Sequence, residues 1–244
     1  MNYSSSVRER RIGGERCECA VPGWKRVLDL AIIVLLLPLA VPLGLLIAIW
    51  VALVSGGPVL FKQQRIGLHG SKFLCLKFRT MRVNADTGVH QGHLKALMRS
   101  NGPMVKLDAK GDPRLIPGGW ILRSLGLDEL PQLINVVRGE MSIVGPRPCI
   151  PYEYEQFCPE HQHRCDTLPG LTGLWQVSGK NRTTFEVMMA LDLAYVARKS
   201  VLLDLRIIVM TLPAILLQVY DVRTGRRIAA RNAATQARYE SIMQ

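Results

Sequence analysis

The longest uncharged stretch of the chain covers residues 31–54, 24 positions with no acidic or basic side chain. As a straight helix it extends about 36 Å, against a bilayer hydrocarbon core of about 30 Å. Pro38 and Pro42 stand inside it, four residues apart. Pro42 has no N–H for the carbonyl of Pro38, and Pro38 has none for that of Val34. The pattern therefore predicts a break or sharp kink in mid-run. The part before the break covers only about 18 Å, roughly half a bilayer. Both flanks are basic: Arg8, Arg10, Arg11, Arg16, Lys25 and Arg26 precede the run, and Lys62, Arg65, Lys72, Lys77, Arg79 and Arg82 follow it. Such residues concentrate on the cytoplasmic side of membrane segments. A helix over 25–54 that enters, turns at the prolines and leaves on the same face meets both observations. The simpler alternative is a kinked transmembrane helix. Lys25 and Asp29, spaced i, i+4, are expected to pair at the headgroup level, or Asp29 to cap the helix start.

Shorter patterns predict the remaining elements. Residues 59–61 and 73–78 read as strands around a turn at 67–70. Helices are expected over 92–100, 128–138, 152–166 and 185–199. Residues 106–119 read as irregular, with a turn at Asp112, Pro113 and Arg114, and 169–180 as a glycine-rich loop around Trp175. The uncharged run 207–220 contains Pro213 and is short for a span, so it reads as an interfacial or packed helix. Residues 1–24 and 221–244 are basic arms, the first expected to be poorly ordered. The fold class is thus mainly α with a small β component (α+β), with a membrane helix over 25–54 and a domain over 55–220 lying on the membrane surface.

Composition narrows the partners. The 244 residues carry a formal net charge of +12, and 48% are apolar. That excludes a disordered chain and points to anionic partners. Aromatics are only 6%, and no recognition-helix or stacking motif is present, so nucleic acid is not expected. Basic residues beside an apolar run fit anionic lipid better. The six cysteines have no disulfide-framework spacing and read as reduced thiols. The apolar run starts late and is too long for a cleavable signal.

The densest candidate chemistry lies over 121–148, ILRSLGLDELPQLINVVRGEMSIVGPRP. Asp128 and Glu129 open the predicted helix, with Pro131 tolerated in its first turn. A carboxylate there is favoured by free N–H groups and the helix dipole. An ionised, fixed aspartate can attack phosphorus; the plainer alternative is an N-cap. Adjacent carboxylates repel unless a cation lies near them, and Mg²⁺ takes one or two carboxylates plus substrate phosphate oxygens. Arg147 is held between Pro146 and Pro148, so its guanidinium is presented at little entropic cost and suits bidentate phosphate binding. If 73–78 is a strand, Lys77 and Arg79 point one way and Phe78 points to the core. Cys158, His161 and Cys165 share one face of the predicted helix, but no second ligand pair stands elsewhere, which disfavours zinc.

Together these segments resemble the bacterial sugar transferases of the small monotopic polyprenol-phosphate phosphoglycosyltransferase type. The matching pieces, in order, are KRVLDL, GGPVLFKQQRIGLHG, KFLCLKFRTM, DPRLIPGGWILRSLGLDELPQLINVVRGEMSIVGPRP, PGLTGLWQVSGKN and LDLAYVARKSVLLDLRII. They cover about residues 25–218, and the combination looks most like members that initiate exopolysaccharide synthesis. The resemblance implies a re-entrant membrane helix in a bacterial inner membrane, with the site and both termini cytoplasmic. It implies Mg²⁺, a UDP-sugar donor and undecaprenyl phosphate as acceptor of galactose 1-phosphate or glucose 1-phosphate. It implies Asp128 as nucleophile, Glu129 as metal ligand, Arg147 as phosphate contact, and Lys77 and Arg79 near the site. Two positions depart from the family: Val41 stands where serine usually precedes the breaking proline, and Lys180 stands where arginine is usual. Lys180 keeps the charge but not the bidentate geometry. The competing readings are a non-enzymatic scaffold for a polysaccharide complex and a glycosyltransferase that releases UDP. Which sugar is loaded, and whether the chain forms a homo-oligomer, stay open at this level. The re-entrant reading predicts that a tag at either terminus is labelled only from the cytoplasmic side; labelling of one terminus from the opposite side in spheroplasts rejects it.

Overall fold

A computed structural model describes residues 21–82, 102, 104 and 114–224. The expected helix at 92–100, Asp112 and Pro113 of the expected turn, and most of both basic arms lie outside these residues. The described elements are mostly helical, with two small sheets.

Helix α1 spans Gly23–Ser55 and closes on Gly56, whose φ of 63° needs no Cβ. It is not broken at Pro38 or Pro42, contrary to the expected interruption; the helix runs through both. Each proline removes one donor, whereas stopping the helix would orphan a whole turn of backbone groups in an apolar setting. The apolar middle is bare: Leu35 is 79% and Leu39 68% accessible. Both ends, by contrast, pack on the rest of the chain. Ile33 joins a core with Phe73, Val136, Val144 and Tyr195, while Ile47 and Val51 join Phe78, Ile116 and Leu122.

Strands β1 (Leu60–Ile66) and β2 (Lys72–Phe78) form the expected hairpin, pairing antiparallel from Leu60↔Phe78 to Ile66↔Lys72. Helix α2 (Gly119–Leu125) had no counterpart in the sequence pattern. A single 3₁₀ turn, Leu127–Glu129, follows it, and then α3, Gln132–Arg138. The helix expected over 128–138 is therefore two pieces. Asp128 is not its N-cap, because Pro131 takes that position. Asn135 on α3 is fully buried and substitutes for a strand partner: Oδ1 accepts from the Leu76 N–H (3.0 Å) and Nδ2 donates to the Leu74 carbonyl (2.8 Å).

Strand β3 (Ser142–Val144) runs parallel to β4 (Gly170–Thr172). The expected helix over 152–166 is split into α4 (Pro151–Glu155), α5 (Pro159–Gln162) and a 3₁₀ turn, since Pro159 can only begin a helix. The expected loop over 169–180 holds β4 and the short α6, Leu174–Val177. Helix α7 (Phe185–Arg198) starts as expected, with Thr184 accepting from the Val187 N–H. Helix α8 (Val201–Thr224) absorbs the run 207–220 and the start of the predicted tail. By length and composition both α1 and α8 suffice to cross a membrane.

Lys25 ties these elements together. It is fully buried, and its ammonium donates to Val144 O (2.8 Å), Tyr195 Oη (2.8 Å) and Asp204 Oδ2 (2.7 Å). The expected Lys25–Asp29 pair is not made, nor does Asp29 cap α1. Asp29 accepts instead from Ser142 Oγ (2.9 Å) and the Ile143 N–H (2.9 Å). Both residues face protein rather than headgroups, because a buried charge needs fixed partners that water-facing lipid cannot supply. Lys25→Met is expected to lower stability by about 3–5 kcal/mol by stranding Asp204, read as a fall in the melting temperature of the detergent-solubilised protein.

Candidate active site

Three segments bring the candidate residues together. β2 delivers Lys77, the 3₁₀ turn after α2 delivers Asp128 and Glu129, and the loop after α6 delivers Lys180. Lys77 Nζ meets Glu129 Oε1 at 2.7 Å, both groups part-exposed. Such a pair is weak as a stability element but fixes the carboxylate's direction. Asp128 is largely buried, 8% accessible. Leu127 and Leu130 on either side pack into the cluster of Ile47, Val51 and Phe78, which pins the turn to α1 and β2. Gly126, at φ 71°, closes α2 and starts this turn.

Lys180 adopts φ 46°, a strained value for a lysine. Burial holds its ammonium below the usual lysine range; Glu129 and Asp128 pull it back up, while Lys77 and Arg147 push it down. Lysine 180, both carboxylates, Lys77 and Arg147 thus act on one another in one electrostatic field. Phe78 faces the core, as expected from the alternation. Arg79 continues the ladder through its N–H to Val59 O (2.8 Å), but its side chain makes no ion pair among the described residues, and its buried Nε has no partner there.

The Gly-Pro-Arg-Pro turn follows β3. Arg147 Nη1 lies 3.2 Å from Glu153 Oε1. Two further arginines brace the turn's backbone: Arg164 Nη2 donates to Arg147 O (2.9 Å) and Arg65 Nη1 to Pro148 O (2.9 Å). Arg164 is itself ion-paired with Asp192, both fully buried. Gly145 is required by close approach, since a Cβ there would stand 2.3 Å from Leu168 O and 2.9 Å from Gly170 N. Burial alone would raise the Glu153 carboxyl; Arg147, Arg65 and the Ile150 N–H outweigh it and hold the group below its ordinary value.

Several of these residues escaped the sequence reading. Arg65 looked like a membrane flank, and Arg164 and Glu153 carried no motif. Arg123, in the last turn of α2, reaches Thr80 Oγ1 (3.4 Å) at the end of the hairpin; from sequence it looks like a dipole partner at a helix C-terminus. Cys158, His161 and Cys165 do not converge. Cys158 is exposed, and Cys165 is buried against Cys149, whose hydrogen bond, with burial, pushes its thiol up. Among the described residues no cluster of three or more His, Cys, Asp or Glu side chains is present. The adjacent carboxylates of Asp128 and Glu129 are oxygen donors of the kind Mg²⁺ takes alongside water and substrate phosphate oxygens.

Comparison with known proteins places this site in context. Residues 21–218 match the profile of the bacterial sugar transferase family. The exopolysaccharide production protein ExoY of Sinorhizobium fredii is 41% identical over 198 residues, 79% of this chain and 85% of that protein. The UDP-glucose:undecaprenyl-phosphate glucose-1-phosphate transferase of Caulobacter vibrioides is 41% identical over 221 residues, 87% of this chain and 77% of that protein. The undecaprenyl-phosphate galactose phosphotransferase of Salmonella typhimurium is 37% identical over 221 residues, 88% of this chain but 45% of that protein.

Because Glu153 has a depressed folded-state pKa, its stabilising contribution is present above the ordinary carboxyl value of 4.5 and is lost as pH falls through the folded value. Glu153→Gln is expected to lower the melting temperature at neutral pH and to flatten its decline below pH 4.5. An unchanged pH dependence in melting scans contradicts the assignment.

Proposed function

Because the chain belongs to the bacterial sugar transferase family, we propose that it is the phosphoglycosyltransferase its site suits: it moves a hexose 1-phosphate from a UDP-sugar to undecaprenyl phosphate and releases UMP. The observation that carries the reading is the buried Asp128 on a pinned 3₁₀ turn, beside a Glu129 held at 2.7 Å by Lys77. The glucose and galactose phosphotransferases among its relatives support the substrate class.

In the proposed reaction a carboxylate oxygen of Asp128 attacks the β-phosphorus of the UDP-sugar. An O–P bond to Asp128 forms as the bond to the α-phosphate oxygen breaks, and UMP leaves. A phosphate oxygen of undecaprenyl phosphate then attacks the same phosphorus, giving undecaprenyl-diphospho-sugar and freeing Asp128. Asp128 is held in place before reaction by the anchored leucines on either side, which converts encounter into an effectively intramolecular step. Lys77 and Lys180 offset the charge of the incoming diphosphate. The Arg147 guanidinium, braced through its own backbone, offers paired donors to phosphate oxygens. Glu129, with Asp128, would hold Mg²⁺, which supplies charge neutralisation on the phosphate oxygens.

The acceptor is a lipid, and α1 and α8 present wide apolar faces to receive it. In our reading α1 is re-entrant and the protein is monotopic at the cytoplasmic face of the inner membrane. Support comes from the packing of both α1 ends on one domain, at Ile33 and at Ile47 and Val51. Trp50 adds a donor to Pro117 O at 3.3 Å. A straight crossing would carry one end about 30 Å away. The basic flanks agree with that geometry.

Asp128→Asn is expected to abolish UMP release from a panel of UDP-sugars with undecaprenyl phosphate, while leaving the protein membrane-bound. Wild-type release of UDP instead would select a conventional glycosyltransferase, and full turnover by the Asn variant would remove the covalent step.

A further inference from the structure

Helix α8 is built against its surroundings in an unusual way. Its outer face is apolar, with Leu202, Val209 and Leu212 each at least two-thirds accessible. Asp204, Thr211 and Gln218 turn inward, while Arg206 and Tyr220 are exposed. In the run 207–220 only Thr211, Gln218 and the terminal Tyr220 carry polar side-chain atoms. Asp204, Thr211 and Gln218 are seven apart, two helical turns, and so lie on one stripe. Asp204 joins the Lys25 network, and Thr211 meets Thr172 Oγ1 at 2.8 Å.

Gln218 completes the stripe at the candidate site. Its Oε1 accepts from Lys180 Nζ at 2.8 Å. Its Nε2 donates to Arg123 O (3.2 Å) and Ser124 O (3.1 Å). Those two carbonyls belong to the last turn of α2, where a helix has no internal donors left. The turn they close leads through Gly126 into Asp128 and Glu129. Three residues later in the same helix, Asp221 forks onto Arg182, its Oδ2 3.0 Å from Nε and its Oδ1 2.5 Å from Nη2, so the loop carrying Lys180 is clasped twice.

We propose that Gln218 is a positioning residue for the phosphoryl-transfer site, setting the Lys180 ammonium and the Asp128–Glu129 turn at a fixed separation from one point on α8. The amide is the fitting group. It can accept from an ammonium at one atom and donate to carbonyls at the other. A carboxylate cannot donate, and an ammonium or guanidinium cannot accept. The link also couples the site to the apolar helix whose outer face carries Leu212 and Leu216, so the seating of α8 and the spacing of the catalytic groups move together. The inference rests on the phosphoglycosyltransferase reading for its kinetic arm only.

The test uses the full chain in nanodiscs, with Gln218→Met and Gln218→Glu. In the first arm, Lys180 is acylated with acetic anhydride and quantified by peptide mass analysis. Gln218→Met frees the ammonium, and its labelling rises several-fold while that of the other lysines is unchanged. Gln218→Glu keeps the acceptor, and Lys180 stays protected. In the second arm, UMP release is measured. Gln218→Met is expected to lower kcat/KM by roughly tenfold with an unchanged melting temperature. The same substitution in a Lys180→Ala background lowers it by markedly less, because part of the effect runs through Lys180. Equal labelling of Lys180 in wild type and Gln218→Met, or identical losses in both backgrounds, overturns the proposal. Absence of UMP release from the wild type defeats the functional reading, and the labelling arm still decides the positioning role.

Discussion

The ammonium of Lys25 is the constraint on which the rest of the architecture depends. Taking it out of water costs several kcal/mol unless every proton finds a partner. All three do, on Val144, Tyr195 and Asp204. Those partners belong to β3, α7 and α8, so one side chain on α1 fixes three elements. Burial and the neighbouring Asp204 keep the Tyr195 phenol well above its usual range, so it stays neutral and donates to Asp204 Oδ1 at 2.8 Å. Asp29, one turn along α1, repeats the device on Ser142 and Ile143. Strand β3 then leads directly into the turn that carries Arg147.

This arrangement joins the membrane element to the site as one unit. The N-terminal end of α1 is bound to the strand before Arg147. Its C-terminal end packs with Phe78 beside the turn that carries Asp128. Helix α8 adds a third connection through Gln218 and Asp221. In the proposed reaction the polyprenyl substrate lies in the bilayer and the nucleotide sugar in water, and a site braced on apolar helices would stand at the boundary where both can be reached.

Part of the chain's basic charge serves structure rather than ligand. A net charge of +12 invites assignment of every cation to lipid or phosphate. Lys25, Arg65 and Arg164 are nevertheless buried. Arg65 and Arg164 hold the backbone of the Gly-Pro-Arg-Pro turn, with Glu153 and Asp192 as counter-charges. Rigidity at Arg147 therefore comes from two guanidinium braces as well as from its flanking prolines.

Local sequence was enough for features with local causes. The hairpin and the start of α7 follow from the residue pattern, the candidate dyad from adjacent carboxylates, and the apolar helix from a long uncharged run. The partners of Lys25 and Asp29 were not legible, because i, i+4 spacing offers a pairing that burial overrides with contacts more than a hundred residues distant in β3. The split of 128–138 needed the competition between Pro131 and the 3₁₀ turn to be resolved by packing of Leu127 and Leu130. Gln218 lies inside the uncharged run 207–220 and belongs to no motif. Only the tertiary structure could show that α8 turns that amide inward, because the direction a helix faces is decided by what it packs against.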